Sequence, residues 1–241
     1  MKHTLLIKDW LSSFLSLLFP RCCVVCGRPL AKGEECICTV CNINLPRTNY
    51  HLRKDNPVER LFWGQIPLER ATSFFFYEKG SDFRLILHRL KYGGQKEIGA
   101  IMGRYMAAEL LSSNFFQGID VIIPIPLHKK KQQIRGYNQS EWIARGIAVV
   151  TGIPIDTESI LRKKNTETQT RKSVFERRDN VEGIFELQHP ETLAGKHILI
   201  VDDVLTTGST TLACASCLVD VEDIRISILT LSLIHISEPT R

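Results

Sequence analysis

Asp202 and Asp203 stand side by side behind the apolar run "ILIV", and three residues further on the chain enters "TTGSTT". Thr206, Thr207, Gly208, Ser209 and Thr210 offer successive backbone N–H groups and several hydroxyls, and Gly208 lets the backbone approach a ligand closely. A loop of that kind opening a helix cradles a phosphate monoester, because the N–H groups and the positive helix end both face the anion. Two carboxylates would repel a bare phosphate. They suit a neutral diol or a nearby metal ion. A single ligand reconciles the two features, a ribose 5-phosphate whose diol meets the acids while the loop holds the phosphate. The string is neither the GxxxxGK[ST] of a P-loop nor a dinucleotide GxGxxG.

A second constellation lies near the other end. Cys23-x-x-Cys26 and Cys38-x-x-Cys41 are two knuckles separated by a short segment, and the glycine of "CGRPL" favours the tight turn a knuckle needs. Four thiolates brought together by a hairpin make a tetrahedral sulfur site, which zinc prefers. With no His or carboxylate among these ligands, the site reads as structural zinc with no open coordination position. Cys22 and Cys36 lie beside the pairs and leave the choice of ligands open. Cys214 and Cys217 sit one helical turn apart and read as small packing residues, since thiol redox pairs precede a helix rather than lie within it.

The elements that must position these groups follow from hydrophobic periodicity. "ATSFFFYE", "DVIIPIP", "HILIVDD" and "IRISILTL" read as buried strands, and "FFFY" as core rather than an exposed stacking face. Between them "DFRLILHRLKYGG", "EIGAIMGRYMAAELLSS", "NQSEWIARGIAVVTG" and "STTLACASCLV" read as helices, the third with Asn138 as N-cap and Gly152 past its end. Strands alternating with helices imply an α/β fold, a mostly parallel sheet covered on both faces. Leu5, Leu6, Trp10, Phe14, Leu17 and Leu18 recur at helical spacing ahead of Pro20, an amphipathic helix expected to pack on the rest of the protein. That segment is too short to span a bilayer and is interrupted by Lys8 and Asp9, so no transmembrane segment is expected. The organisation reads as an N-terminal helix and four-cysteine zinc ribbon over 1–50, a linker over 51–70, an α/β domain over 71–231 and a tail over 232–241. The tail string "SLIHISEPTR" breaks the pattern and resembles translated adapter DNA, so it is read as non-native and without function.

Length and composition set the bounds. A chain of 241 residues can bury a sizeable core, and 44% apolar with 24% charged residues is ordinary for a globular protein. A net charge of +5 permits an anionic ligand or nucleic acid and demands neither. With no export signal legible, the expected compartment is the reducing cytoplasm, where cysteines serve as metal ligands or free thiols. The basic residues gather in three groups: Lys129, Lys130, Lys131 and Arg135; Arg162, Lys163 and Lys164; and Arg171, Lys172, Arg177 and Arg178. Each alone reads equally well as solvated loop charge or as part of an anion site. His88 and His128 are candidates for a general base, although a lone histidine is more often structural. No acceptor pocket is legible.

The string "ILIVDDVLTTGSTT" resembles the phosphoribosyl-diphosphate (PRPP) motif of type I phosphoribosyltransferases. Taken with the cysteine ribbon, "VIIPIPLHKKKQQIRGYNQSEWIA" and "TQTRKSVFERRDNVEGIFEL", it is similar to the ComF family of competence-associated, phosphoribosyltransferase-like proteins. The resemblance spans Cys23 to Leu231. It implies a type I phosphoribosyltransferase core with an N-terminal zinc ribbon, PRPP as ligand with Mg²⁺, and a role in taking up transforming single-stranded DNA together with the uptake machinery. Residue by residue, Asp202 and Asp203 match the catalytic acidic pair on the ribose, and Thr206 to Thr210 the 5-phosphate loop. Lys129, Lys131 and Arg135 match the pyrophosphate segment, where the family commonly carries Arg at the position of Lys131. Gly136, Tyr137, Asn138 and Gln139 match "RGxNQ", and Gln169, Arg177 and Asn180 match the loop that closes over the site. The implied reaction displaces pyrophosphate from C1 of PRPP through an oxocarbenium-like transition state. Two alternatives stand beside it, a non-enzymatic adaptor that binds single-stranded DNA on exposed aromatics such as Tyr92 or Tyr137, and a nucleobase-salvage phosphoribosyltransferase.

Overall fold

The structure is a computed structural model and describes residues 20–163 and 183–234. The N-terminal amphipathic segment, Lys164, Arg171, Lys172, Arg178 and the loop candidates Gln169, Arg177 and Asn180 lie outside the described residues.

Four strands, β1 (Leu68–Tyr77), β2 (Val121–Pro124), β5 (His197–Leu205) and β6 (Arg225–Ile234), form one sheet in the order β1-β6-β5-β2, and every pairing is parallel. Parallel strands need crossovers, and the chain supplies them as α3 (Arg84–Tyr92), α4 (Glu97–Leu110), α6 (Gln139–Thr151) and α7 (Ser209–Ser216). Shorter helices, α1 (Thr39–Ile43), α2 (Pro57–Arg60) and α5 (Lys129–Arg135), and a small antiparallel pair, β3 (Ile160–Arg162) with β4 (Phe185–Leu187), complete the described fold. The central strand β5 is apolar on both faces because both are covered. Leu199 and Val201 join one core with Ile86, Met102 and Ile143, while Ile198 and Ile200 join the other with Phe62, Cys214 and Leu218.

Local sequence explains the helix ends. Asn138 caps α6 by accepting from the Ser140 N–H, and Gly152 closes it in a left-handed conformation. Residues 51–70 hold α2, entered through a capping box between Asn56 and Glu59, and the first residues of β1. Asn56 also donates to the carbonyl of Ala71 at 2.9 Å, tying this segment to β1.

Helices α4 and α6 cross through glycines. A methyl group on Gly146 would lie 2.0 Å from the Ala100 carbonyl oxygen, and one on Gly103 would lie 2.2 Å from that of Ile143. Neither neighbour can yield, since both are backbone atoms. The crossing sets the depth of α6, whose first turn reaches the end of β5. Gly146→Ala is therefore expected to destabilise by about 3 kcal/mol through overpacking, lowering the melting temperature by roughly 6–12 °C in a domain of this size. An unchanged melting temperature would contradict the crossing.

Several elements differ from expectation. Strand β5 runs on through both aspartates to Leu205. The basic segment after β2 forms the helix α5 rather than a loop. Strand β6 continues to Ile234 in register with β1 and β5, so residues 232–234 of the expected tail are strand. The β3–β4 pair gave no signal of its own, being only three residues on each side. Among the described residues no helix is long and apolar enough to cross a membrane.

Candidate functional site

The sheet itself opens a crevice. Strand β2 pairs with β5 only as far as Pro124 beside Val201, and after the Ile125 N–H bonds to the Val201 carbonyl the chain turns away at Pro126. Proline ends the pairing because it has no N–H to donate. Asp202 to Leu205 thus lose their neighbour on one side at the carboxyl end of the sheet, where α/β folds bind ligands. The resulting cavity, about 440 Å³, is lined by Asp202, Asp203, Thr206, Thr210, Lys131 and Arg135, together with Lys91, Gln139, Ser140 and Arg162.

The acids are held from several directions. Ser140, in the first turn of α6, donates its hydroxyl to Asp202 Oδ1 at 2.9 Å, and the Asp203 N–H donates to the same oxygen at 2.8 Å. Lys91, at the end of α3, pairs with Asp203 Oδ2 at 3.0 Å. Burial and, after it, the adjacent Asp203 carboxylate push Asp202 up to about 7, against the opposing pull of the Asp203 N–H, Ser140 and Lys91. Burial and the neighbouring carboxylate thus disfavour ionisation of Asp202 although Lys91, Lys131, Arg135 and Arg162 line the same cavity. A ligand bearing hydroxyl donors or accompanied by a cation relieves that.

The loop after β5 begins at Thr206, and its turn is made by Gly208, which has a left-handed φ of 76° and heads α7. A side chain there would meet the buried Phe62 ring at 3.3 Å, so the loop lies flat on the core. Thr207 and Ser209 hydroxyls bond each other at 2.8 Å. Arg135 reaches over from the end of α5, with Nη1 donating to Gln139 Oε1 at 2.7 Å and its guanidinium 5.6 Å from the centre of the Tyr92 ring. Burial pulls the Arg162 guanidinium down from its ordinary range, while the Asp202 carboxylate acts against that.

The expected residues therefore fall into groups. Asp202, Asp203, Thr206, Thr210, Lys131 and Arg135 share the cavity, whereas Thr207, Gly208 and Ser209 shape its loop. Lys129 faces a neighbouring cavity of about 520 Å³ with His128, Arg162 and Lys163. His128 caps α5 through Nδ1, which accepts from the Lys130 N–H at 3.3 Å. Lys91 and Ser140 were not anticipated as site residues, whereas Arg162 came from the second basic group. Ser140 had one available signal, its position just inside the capped start of α6; Lys91 had none, being brought in by the packing of α3. Of the aromatics considered for stacking, Phe74, Phe75 and Tyr137 are buried, Tyr137 donating to the Leu90 carbonyl at 2.5 Å, and only Tyr92 is well exposed.

The four cysteines of the two knuckles converge. The Sγ atoms of Cys23, Cys26, Cys38 and Cys41 all lie within 4.8 Å of one another, and those of Cys26 and Cys38 are 3.7 Å apart. A tetrahedron with metal–sulfur bonds of about 2.3 Å has edges of roughly 3.8 Å, so the set fits a zinc ion. Backbone N–H groups already point at the sulfurs, Cys38 N at Cys23 Sγ (3.3 Å) and Cys41 N at Cys38 Sγ (3.5 Å), the arrangement that favours thiolate ligands. Cys36 turns away to Met102 Sδ at 4.0 Å, and burial followed by the Glu35 charge pushes its thiol up to about 12. Cys22 is exposed and donates to the Pro20 carbonyl. The module is fastened to α4 by Glu35 with Arg104 and by Arg47 with Glu109. In α7, Cys214 is buried and Cys217 donates to its carbonyl at 3.0 Å, as packing residues do.

No family model matches the chain. The DNA utilization protein YhgH of Escherichia coli O157:H7 is 32% identical over 209 residues, covering 80% of this chain and 88% of that protein. Competence protein ComFC of Bacillus subtilis (strain 168) is 26% identical over 216 residues, covering 88% of this chain and 83% of that protein. Among solved structures, adenine phosphoribosyltransferase from Leishmania tarentolae covers 78% of this chain and 94% of its own, with 12% identity and a TM-score of 0.37, a likeness that carries no functional argument.

Proposed function

The chain belongs to the ComF family of competence-associated, phosphoribosyltransferase-like proteins, and on that premise we propose that its crevice binds PRPP with Mg²⁺. The observation that carries the proposal is one cavity that joins the Asp202–Asp203 pair to the Thr206–Thr210 loop and to Lys131 and Arg135. In this reading the loop N–H groups and hydroxyls take the 5-phosphate. The acids accept hydrogen bonds from the ribose diol. Lys131 and Arg135 meet the pyrophosphate, with Lys129 entering from the neighbouring cavity and Gln169, Arg177 and Asn180 closing over the ligand. Magnesium supplies charge neutralisation on the pyrophosphate. If the bond at C1 breaks, positive charge grows on the ribose ring, where the two carboxylates stabilise it. The physiological setting proposed is the cytoplasmic handling of transforming DNA, supported by the competence and DNA-utilization roles that the relatives' names carry.

Calorimetric titration of the full chain with PRPP and Mg²⁺ tests the donor site. Micromolar binding that weakens strongly without Mg²⁺ is the expected outcome, about −8 kcal/mol at 1 μM. Failure of the wild-type chain to bind sinks the proposal.

One observation supports the adaptor reading beside it. Lys96 and Arg145 gather over the half-buried Trp142 ring at 4.7 and 5.2 Å, a pair of cations that could meet the phosphate backbone of a single strand. Retention on single-stranded DNA should then fall steeply with salt; absent or salt-insensitive retention removes this reading.

A further inference from the structure

A third cavity, about 540 Å³, opens beside the sugar-phosphate crevice between the ends of β1, β5 and β6 and the outer face of α3. Lys91, Val204 and Ile234 line both, so the two spaces share a wall at Asp203, the partner of Lys91. On its other side the central crevice shares Pro126, Leu127, Asn138 and Arg162 with the cavity that holds Lys129 and Lys163. The crevice is flanked by one cavity of mixed charge, with Lys129, Arg162 and Lys163 beside Glu141 and Glu186, and by one groove of different character.

That groove is built from aromatic and positive groups. Tyr77, His88 and Tyr92 supply planar surfaces, with the His88 and Tyr92 ring centres 5.4 Å apart. Lys79 and Arg84 add positive charge, and among the described residues none that lines the groove is acidic. Arg84 fixes the local turn by donating to the Lys79 carbonyl at 2.7 Å, which presents both cations at the groove edge. The Lys91 charge is already matched by Asp203, so among the described residues the groove's remaining charge belongs to Lys79 and Arg84. A planar ring finds stacking partners here, and a carboxylate on that ring finds a charge-assisted donor.

We propose that this groove is the acceptor subsite, and that it takes a planar heteroaromatic ring carrying a carboxylate. The inference rests on the PRPP reading of the central crevice and deepens it. In-line displacement needs the acceptor and pyrophosphate on opposite sides of C1. The two flanking spaces provide that separation, with the cavity that holds Lys129 on the leaving-group side. The lone pair of a ring nitrogen forms the bond to C1, the C1–oxygen bond breaks, and its electron pair leaves with pyrophosphate. No oxidant or reductant takes part.

The test titrates the full chain with pyridine and pyrimidine carboxylates and with their matching carboxamides, first alone and then with PRPP and Mg²⁺. The acids should bind roughly tenfold more tightly than the amides, the worth of one charge-assisted contact. Arg84→Ala should erase that preference, and His88→Ala should weaken acid and amide alike several-fold. Both variants should keep wild-type affinity for PRPP, since neither residue lines the donor crevice. Equal affinity for acids and amides, or unchanged binding in both variants, overturns the inference. Loss of PRPP binding by the wild-type chain sinks the donor reading instead, and the titrations without PRPP still decide the groove.

Discussion

Asp202→Asn combined with Asp203→Asn should abolish PRPP binding, at least 100-fold, while the Asp202→Asn change alone should make the ligand-free protein more stable at alkaline pH. The two effects share one cause. Burial and the Asp203 charge raise the folded-state Asp202 carboxyl from an ordinary value near 4 to about 7. Between those values the unfolded chain has released a proton that the folded chain retains, so stability falls as pH rises through this window and stays reduced above it. Below it both states are protonated and the penalty vanishes. Asparagine keeps an oxygen to accept from Ser140 and from the Asp203 N–H but cannot ionise, so it removes the penalty. Lys91 and partial exposure reduce the gain to about 2 kcal/mol, or roughly 4–8 °C in melting temperature. Thermal unfolding of wild type and Asp202→Asn from pH 5 to pH 8 reads this directly. The difference should be small at pH 5 and grow toward pH 8. A variant equally destabilised at every pH would mean that Asp202 serves the fold rather than a ligand.

Removing the metal should have the other large effect. Cys23, Ile37 and Leu45 belong to the same apolar cluster as Met102 and Met106 of α4, so the cysteine module and the sheet domain share a core. A module this small, described over residues 20–50, buries too little to fold alone without its ion. Metal analysis of the purified chain should give about one zinc per chain, and Cys38→Ser should lose it. The expected destabilisation is at least ~5 kcal/mol, given that structural zinc contributes about 10–16 kcal/mol in isolated fingers. Faster hydrogen exchange should spread from the module into Glu97–Leu110, the helix it packs on. Cys36→Ala supplies the contrast. Its sulfur touches Met102 and not the cluster, so that variant should keep the zinc. A Cys38→Ser chain with full zinc content and unchanged melting temperature would refute the site.

Both results depend on groups that differ in how visible they are in the chain. The two CxxC pairs were legible because a knuckle is a local turn, and four such sulfurs have few arrangements other than a tetrahedron. The knuckle spacing picked out the four cysteines that join, and burial sets Cys36 apart from the neighbouring pair by turning it inward to Met102. The acidic pair and the hydroxyl loop were legible for a similar reason: a run of four apolar residues, two acids and a glycine turn fix a strand, its end and a helix start in sequence. Lys91 and Ser140 were not. They come from two different crossover helices, and their meeting at β5 depends on how deeply α6 sits against α4 through Gly103 and Gly146.

Sequence alone determined what recurs at short range: helical and strand periodicity, the caps at Asn138 and Gly152, the sulfur knuckles, and the placing of acids ahead of a phosphate-type loop. Each is set by backbone geometry over a few residues. Only the tertiary structure decided the rest. The order β1-β6-β5-β2, the early stop of β2 at Pro124, the ion pair of Lys91 with Asp203 and the aromatic groove beside it join residues from distant parts of the chain. Packing brings them together, and packing is a property of the whole core rather than of any stretch within it.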